Sequence, residues 1–188
     1  GYFQNNKATP SFAYVGGHTA GGTARKIEGN GSSNSIITAP DGEKVLVTCP
    51  EAPDILLMDY GTGKLTNGRT YIAIDPVLAN NIFVDEKHPL LVFVQLEGDC
   101  NGVFVTNKTK NGFDVIELNG GLSNVSFSWN IVANRSDEYN PDGTLFSKNV
   151  DVRFQKANLP LKVDSQKVDV IRGPEIKNIN RQNDEKRK

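Results

Sequence analysis

The sequence predicts an all-β protein, with antiparallel strands in a compact sandwich or prism-like domain. Three observations carry this. From Asn124 to Ile131 the residues alternate strictly. Val125, Phe127, Trp129 and Ile131 face one way, and Asn124, Ser126, Ser128 and Asn130 the other, the period of two of a strand with one buried face. Elsewhere short apolar runs are separated by Gly, Pro, Asn and Asp turn signals, the pattern of an all-β domain. Before residue 135 no amphipathic helical period stands out.

Taken in order, residues 1–34 hold few apolar side chains and three Gly-rich stretches, at 16–17, 21–22 and 29–31. They read as a connector or stalk end that needs a neighbour to be ordered. The core domain is assigned to residues 35–135. Runs 35–38 and 44–48 flank Pro40-Asp41-Gly42, a turn sequence. Residues 54–60 lead through Gly61 into Asn67-Gly68, a two-residue hairpin signal, with 69–74 as the return strand. Residues 80–84 leave strand and helix both open. Residues 90–96, Leu-Leu-Val-Phe-Val-Gln-Leu, are apolar on both faces. Runs 103–107 and 112–118 form another hairpin about Thr109-Lys110-Asn111, and Gly120-Gly121 turns into the strand at 124–133.

Two of these strands bear on assembly. A strand apolar on both sides needs cover on both sides. The small, uncharged polar face at 124–130 has no Lys or Glu to guard it, and an unpaired strand of that kind invites association. Another strand, a ligand or another subunit is therefore expected over that face, and a homotrimer is the favoured assembly. Leu91, Phe93, Val125, Phe127, Trp129 and Ile131 are the core and assembly residues. Beyond residue 135 the chain turns polar around Pro141-Asp142-Gly143. Residues 150–154 offer one more strand, and residues 174–188 read as a charged, disordered tail.

Composition narrows function. The formal net charge is −1, which argues against bulk electrostatic binding to nucleic acid or anionic membrane. No apolar run reaches the roughly 18 residues of a spanning helix, so membrane insertion is not expected. Cys49 and Cys100 allow one disulfide or two free thiols. They lie in no CxxC or Cys/His cluster, so structural zinc is not expected.

Sites of chemistry are sparse. His18 lies among glycines and His88 precedes Pro89, and no G-x-S-x-G accompanies them. Gly61-Thr62-Gly63-Lys64 fails the phosphate-loop pattern, with Met58 where Gly and Leu65 where Ser or Thr would stand. Glu97, Asp99 and Asn101 are read as a plain turn before a cation site. No catalytic, cofactor-binding or metal-ligating residue is assigned, and no cofactor. Tyr60, Tyr71 and Tyr139 are the candidate ligand-contact residues, because tyrosine offers an apolar face and a polar tip.

A family resemblance rests on residues 98–105, Gly-Asp-Cys-Asn-Gly-Val-Phe-Val, with Asn107-Lys108-Thr109, Asn111-Gly112-Phe113, Glu117-Leu118-Asn119-Gly120-Gly121 and the run 123–133. With Cys49-Pro50-Glu51-Ala52-Pro53-Asp54 and the Tyr60-Gly61 hairpin, these resemble the C-terminal β-rich region of large bacterial glycine-rich repeat and phage tail-fibre-like proteins. The resemblance covers about residues 35–135. It implies a trimeric head, read as non-enzymatic, that caps a repetitive fibre, extracellular, at a cell surface or on a virion, and able to contact a receptor or glycan. It supplies no catalytic residue. Some tail-fibre ends are similar to self-cleaving chaperones with a Ser–Lys pair, but Ser165-Gln166-Lys167 lacks the helical setting. The rival reading is a monomeric carbohydrate-binding β-sandwich.

Overall fold

The computed structural model describes residues 1–5 and 8–161. Contacts divide the chain into two units, Gly1–Asn158 and Leu159–Lys188. The first carries every element named below. Of the second only residues 159–161 are described, so the tail read from residue 174 and the Ser165–Lys167 pair lie outside the described residues.

The first unit is all-β. Strands β1 (Tyr2–Gln4), β2 (Phe12–Val15) and β3 (Ile27–Gly29) form a small sheet, and β4 (Asn34–Thr38) and β5 (Lys44–Thr48) a separate ribbon. The main body follows: β6 (Leu56–Lys64), β7 (Arg69–Ala73), helix α1 (Pro76–Asn81), β8 (Ile82–Phe83), β9 (Leu91–Leu96), β10 (Val103–Thr109), β11 (Gly112–Glu117) and β12 (Ser126–Arg135). A short ribbon, β13 (Glu138–Tyr139) with β14 (Leu145–Ser147), ends the series. Every strand pairing is antiparallel.

The body has two sheets. One runs β10-β11-β7; in the other β12 is central, with β6 on one side and β9 and β8 in tandem on the other. Their inward faces share one apolar cluster. Phe113 and Val115 of β11 meet Phe127, Ile131 and Ala133 of β12, with Leu65, Ile82 and Leu90 closing the ends. The Phe113 and Trp129 rings meet edge to face at 5.9 Å between centroids, the arrangement their quadrupoles favour. The alternation at 124–131 thus puts Val125, Phe127, Trp129 and Ile131 on the inner side. The strand itself begins two residues later and runs to Arg135.

Local signals explain most of the turns. Asn67 and Gly68 both take positive φ, 50° and 77°, as a two-residue loop matching the twist of its strands requires. Glu117 is buried beneath that hairpin. Its carboxylate accepts from the N–H of Asn101 at 3.0 Å and of Ser123 at 2.8 Å, while its own N–H donates to Gly68 O at 2.7 Å. One residue thus ties three loops, and the two N–H bonds to its carboxylate hold its pKa below the ordinary 4.5.

Three features differ from the sequence reading. Residues 76–81 form a helix: Asp75 Oδ1 accepts from the N–H of Val77 at 2.7 Å, and Pro76 occupies the first turn, a capped start too short to show a helical period. Strand 91–96 is not covered on both sides. Val92, Val94 and Leu96 turn to the core, whereas Leu91 and Phe93 stand exposed on the outer face. Finally, the buried cluster and the side chains packed on it lie between Leu57 and Ala133. Residues 35–48, read as the start of the core, form a ribbon whose ten strand residues are all exposed, because among the described residues its two short strands pair only with each other.

Residues 136–158 return to the N-terminal segment through polar contacts. Asn149 and Ser147 are buried; Ser147 Oγ donates to Asn149 Oδ1 at 3.0 Å and accepts from the N–H of Ala24 at 3.0 Å. Glu28 accepts from the backbone and side-chain amides of Asn158 at 2.8 and 2.9 Å. Residues read as a Gly-rich connector are thereby held in a three-stranded sheet.

Candidate interaction surface

The outer face of the β6-β12-β9 sheet is built by alternation. Inward positions on β6 are Leu57, Gly61 and Gly63, so Met58 and Tyr60 point out. The register sets Tyr60, Asn130 and Phe93 in one row across the three strands, and Met58, Val132 and Leu91 in the next. Thr62, Ser128 and Gln95 form the row beyond. Tyr60 is 79% exposed, Met58 65% and Phe93 58%.

No charged side chain lies within these rows. Lys64 and Glu97 stand at one end, where Glu97 N–H donates to Ser126 O. At the other end Lys87 and His88 meet Asp151, and Arg153 pairs with Asp54, around an open pocket that Leu56 and Leu91 also line. His88 is bracketed by Asp85, at 2.9 Å, and Asp151, at 3.2 Å. Asp151 is held below its ordinary pKa first by its bond from Lys87. The outer face of the β10-β11-β7 sheet is different. There Arg69 pairs with Ile116, and Asp114 with Tyr71 and Thr106. One face is dressed for water and the other is not.

The three candidate tyrosines lie on three separate strand systems. Tyr60 is in the uncharged face. Tyr71, on β7, donates its hydroxyl proton to Asn111 O at 3.1 Å. Tyr139 is on the β13–β14 ribbon. Among the core and assembly residues, Phe127 and Ile131 are buried and Val125 and Trp129 are packed against them, while Leu91 and Phe93 join Tyr60 outside. The exposed Met58 was missed by sequence reading because the run Ile55-Leu56-Leu57-Met58 shows no alternation. The signal was the pair of glycines two apart, which fixes the inward parity of β6.

Among the described residues both cysteines are free thiols, and no group of three His, Cys, Asp or Glu side chains is placed to hold a metal ion. No described helix is long and apolar enough to cross a membrane. No family model, curated protein or solved structure matches this chain.

Proposed function

We infer that this chain is a structural and binding module that associates with itself, as a homotrimer, at the end of a fibre-like or surface protein. In this reading it performs no chemistry of its own. It caps and registers the assembly, and presents its remaining surface to a receptor or glycan outside the cell or virion.

The observation that carries the reading is the uncharged row of Met58, Tyr60, Leu91 and Phe93 on an open sheet face. Such a face exposes roughly 500 Å², the size of the largest patch on a typical monomer and often a functional one. Among the described strands β6 and β9 each bond only to β12. Open edges of that kind are relieved by closed symmetry. Sedimentation equilibrium at tens of micromolar, without detergent, tests it. Three chain masses are expected, and a single chain mass overturns the reading.

One observation favours a second reading. Tyr60 is largely exposed in a row with Asn130 and Phe93, an aromatic platform beside amide donors of the sort that stacks on a sugar ring. A monomer that binds an immobilised glycan array, and loses binding in Tyr60→Ala, would support the glycan-binding sandwich instead.

A further inference from the structure

The β4–β5 ribbon is the least explained part of the described chain. Ile36 and Leu46 are cross-strand partners on one face, 70% and 66% exposed; Ile37, Val45 and Val47 share the other. An isolated two-stranded ribbon is marginal in water, and one apolar on both faces gains nothing from standing alone. Its only charged strand residue is Lys44, on the Ile36–Leu46 side but at the turn end, where Nζ donates to Thr38 Oγ1 at 2.6 Å. A partner surface should therefore be apolar opposite the Ile36–Leu46 pair and about five residues long.

The same chain carries such a surface. We propose that the Ile36–Leu46 side of the ribbon docks on the Met58, Tyr60, Leu91 and Phe93 face of a second copy of this chain. The reading rests on the self-association inferred above and assigns its contacts.

Three arguments favour a second copy as the occupant. The dimensions match: a five-residue strand spans roughly 17 Å, as do the outer rows from Met58 to Thr62. The area is sufficient: a copy that gives a ribbon and receives one contributes roughly 1,000 Å², against about 800 Å² per partner in a standard interface. The tether is short. Seven residues, 49–55, join β5 to β6, with Pro50 and Pro53 among them, and the residue before each proline is driven to extended backbone. The far end of the tether is pinned by the Arg153–Asp54 ion pair and the Phe154 N–H bond to Pro53 O. A ribbon so held is disfavoured from folding back onto the strand that follows it.

The test uses the full chain with Cys49→Ser and Cys100→Ser. One preparation carries Leu46→Cys and a second Phe93→Cys; the two are mixed, refolded together and oxidised. A covalent heterodimer that reduction abolishes is expected. In parallel, Leu46→Lys in the otherwise native chain should convert the trimer to monomer with Trp129 emission unchanged, since the ribbon lies outside the core. A Leu46→Lys protein that keeps its full oligomer mass overturns the ribbon contact and leaves self-association standing. A wild-type monomer overturns both. A third preparation carries Leu46→Cys and Phe93→Cys in one chain and should cross-link between chains; closure only within one chain overturns the second copy as occupant. Should Leu46→Lys alter the fold, the mixed cross-link alone decides, and its absence overturns the proposal.

Discussion

Trp129 lies across Gly61. The two are direct partners between β12 and β6, and a Cβ built on Gly61 would stand 2.6 Å from Trp129 Cζ2. Phe127 and Gly63 repeat the arrangement one inward pair further on, with the Cβ 2.5 Å from Phe127 Cζ. Glycine is a poor strand residue. Here two glycines supply the space in which two large rings lie against the strand, and the indole N–H reaches Thr62 O at 3.3 Å.

Gly61→Val should therefore destabilise the fold although valine favours strands. Overpacking of this kind costs about 1–3 kcal/mol, measurable by urea unfolding. Thr62→Val, one residue away on the outer face, should stay within about 0.5 kcal/mol of the parent. Equal stability of the two variants would show that the Trp129 ring moves aside freely.

Truncation of the ring is the complementary test. Trp129→Ala should cost about 3–5 kcal/mol, the range for aromatic truncation in a core. Trp129 is the single tryptophan, so its emission reports the site directly. It should be blue-shifted and poorly quenched by acrylamide. Red-shifted, freely quenched emission would place the ring in water.

Glu117 sets an acid limit on the loops it ties. Its pKa is lowered, first by the Asn101 N–H and then by the Ser123 N–H. A lowered folded pKa means that the native state binds fewer protons than the unfolded chain. The stabilisation is therefore complete above the ordinary value of 4.5 and is lost as pH falls through the lowered one. Glu117→Gln should be less stable than wild type at pH 7, and the gap should close towards pH 3. A gap independent of pH would mean that the charge contributes nothing.

The strands of the body were legible because their signals are local. Strict alternation marks β12, Asn67-Gly68 turns β6 into β7, and Lys110-Asn111 turns β10 into β11. Helix α1 was not legible, since one capped turn and a half leaves no period to read; only Asp75-Pro76 announced it. The outward placement of Leu91 and Phe93 was hidden for a different reason. An apolar run reads as buried on both sides, and nothing within it tells which side meets the core. That information sits in the pairing with β12, whose register sets Phe93 beside Asn130 and Leu91 beside Val132, on the side away from Phe127 and Ile131. The return of residues 136–158 onto residues 22–28 was equally invisible, because it rests on amides and hydroxyls with no pattern in the sequence.

That return contact yields a last prediction. Asp137 Oδ1 accepts from the N–H groups of Asn149 and Val150 at 2.7 and 2.8 Å, and Oδ2 takes the Lys148 ammonium at 2.7 Å. Burial alone would raise the Asp137 pKa; the bonds from Lys148, Val150 and Asn149 outweigh it and lower it. Asn149 Nδ2 donates to Ser136 O at 2.6 Å and Oδ1 accepts from Ser147 Oγ at 3.0 Å, which leaves Ser147 Oγ free to receive Ala24 N–H. Removing the Asn149 amide strands two part-buried polar groups, at about 1–3 kcal/mol each. Neither residue belongs to the apolar cluster between Leu57 and Ala133. Asn149→Ala should thus release residues 1–29 while sparing the body. Limited proteolysis should cleave the variant within the Gly-rich stretches at 16–22 and 29–31 many times faster than wild type, with Trp129 emission unchanged. By the sign of the Asp137 shift, acidification below its ordinary 3.8 should release the same segment in the wild type. Wild-type protection of residues 16–31 in Asn149→Ala would show that the β1-β2-β3 sheet holds its place without this clamp.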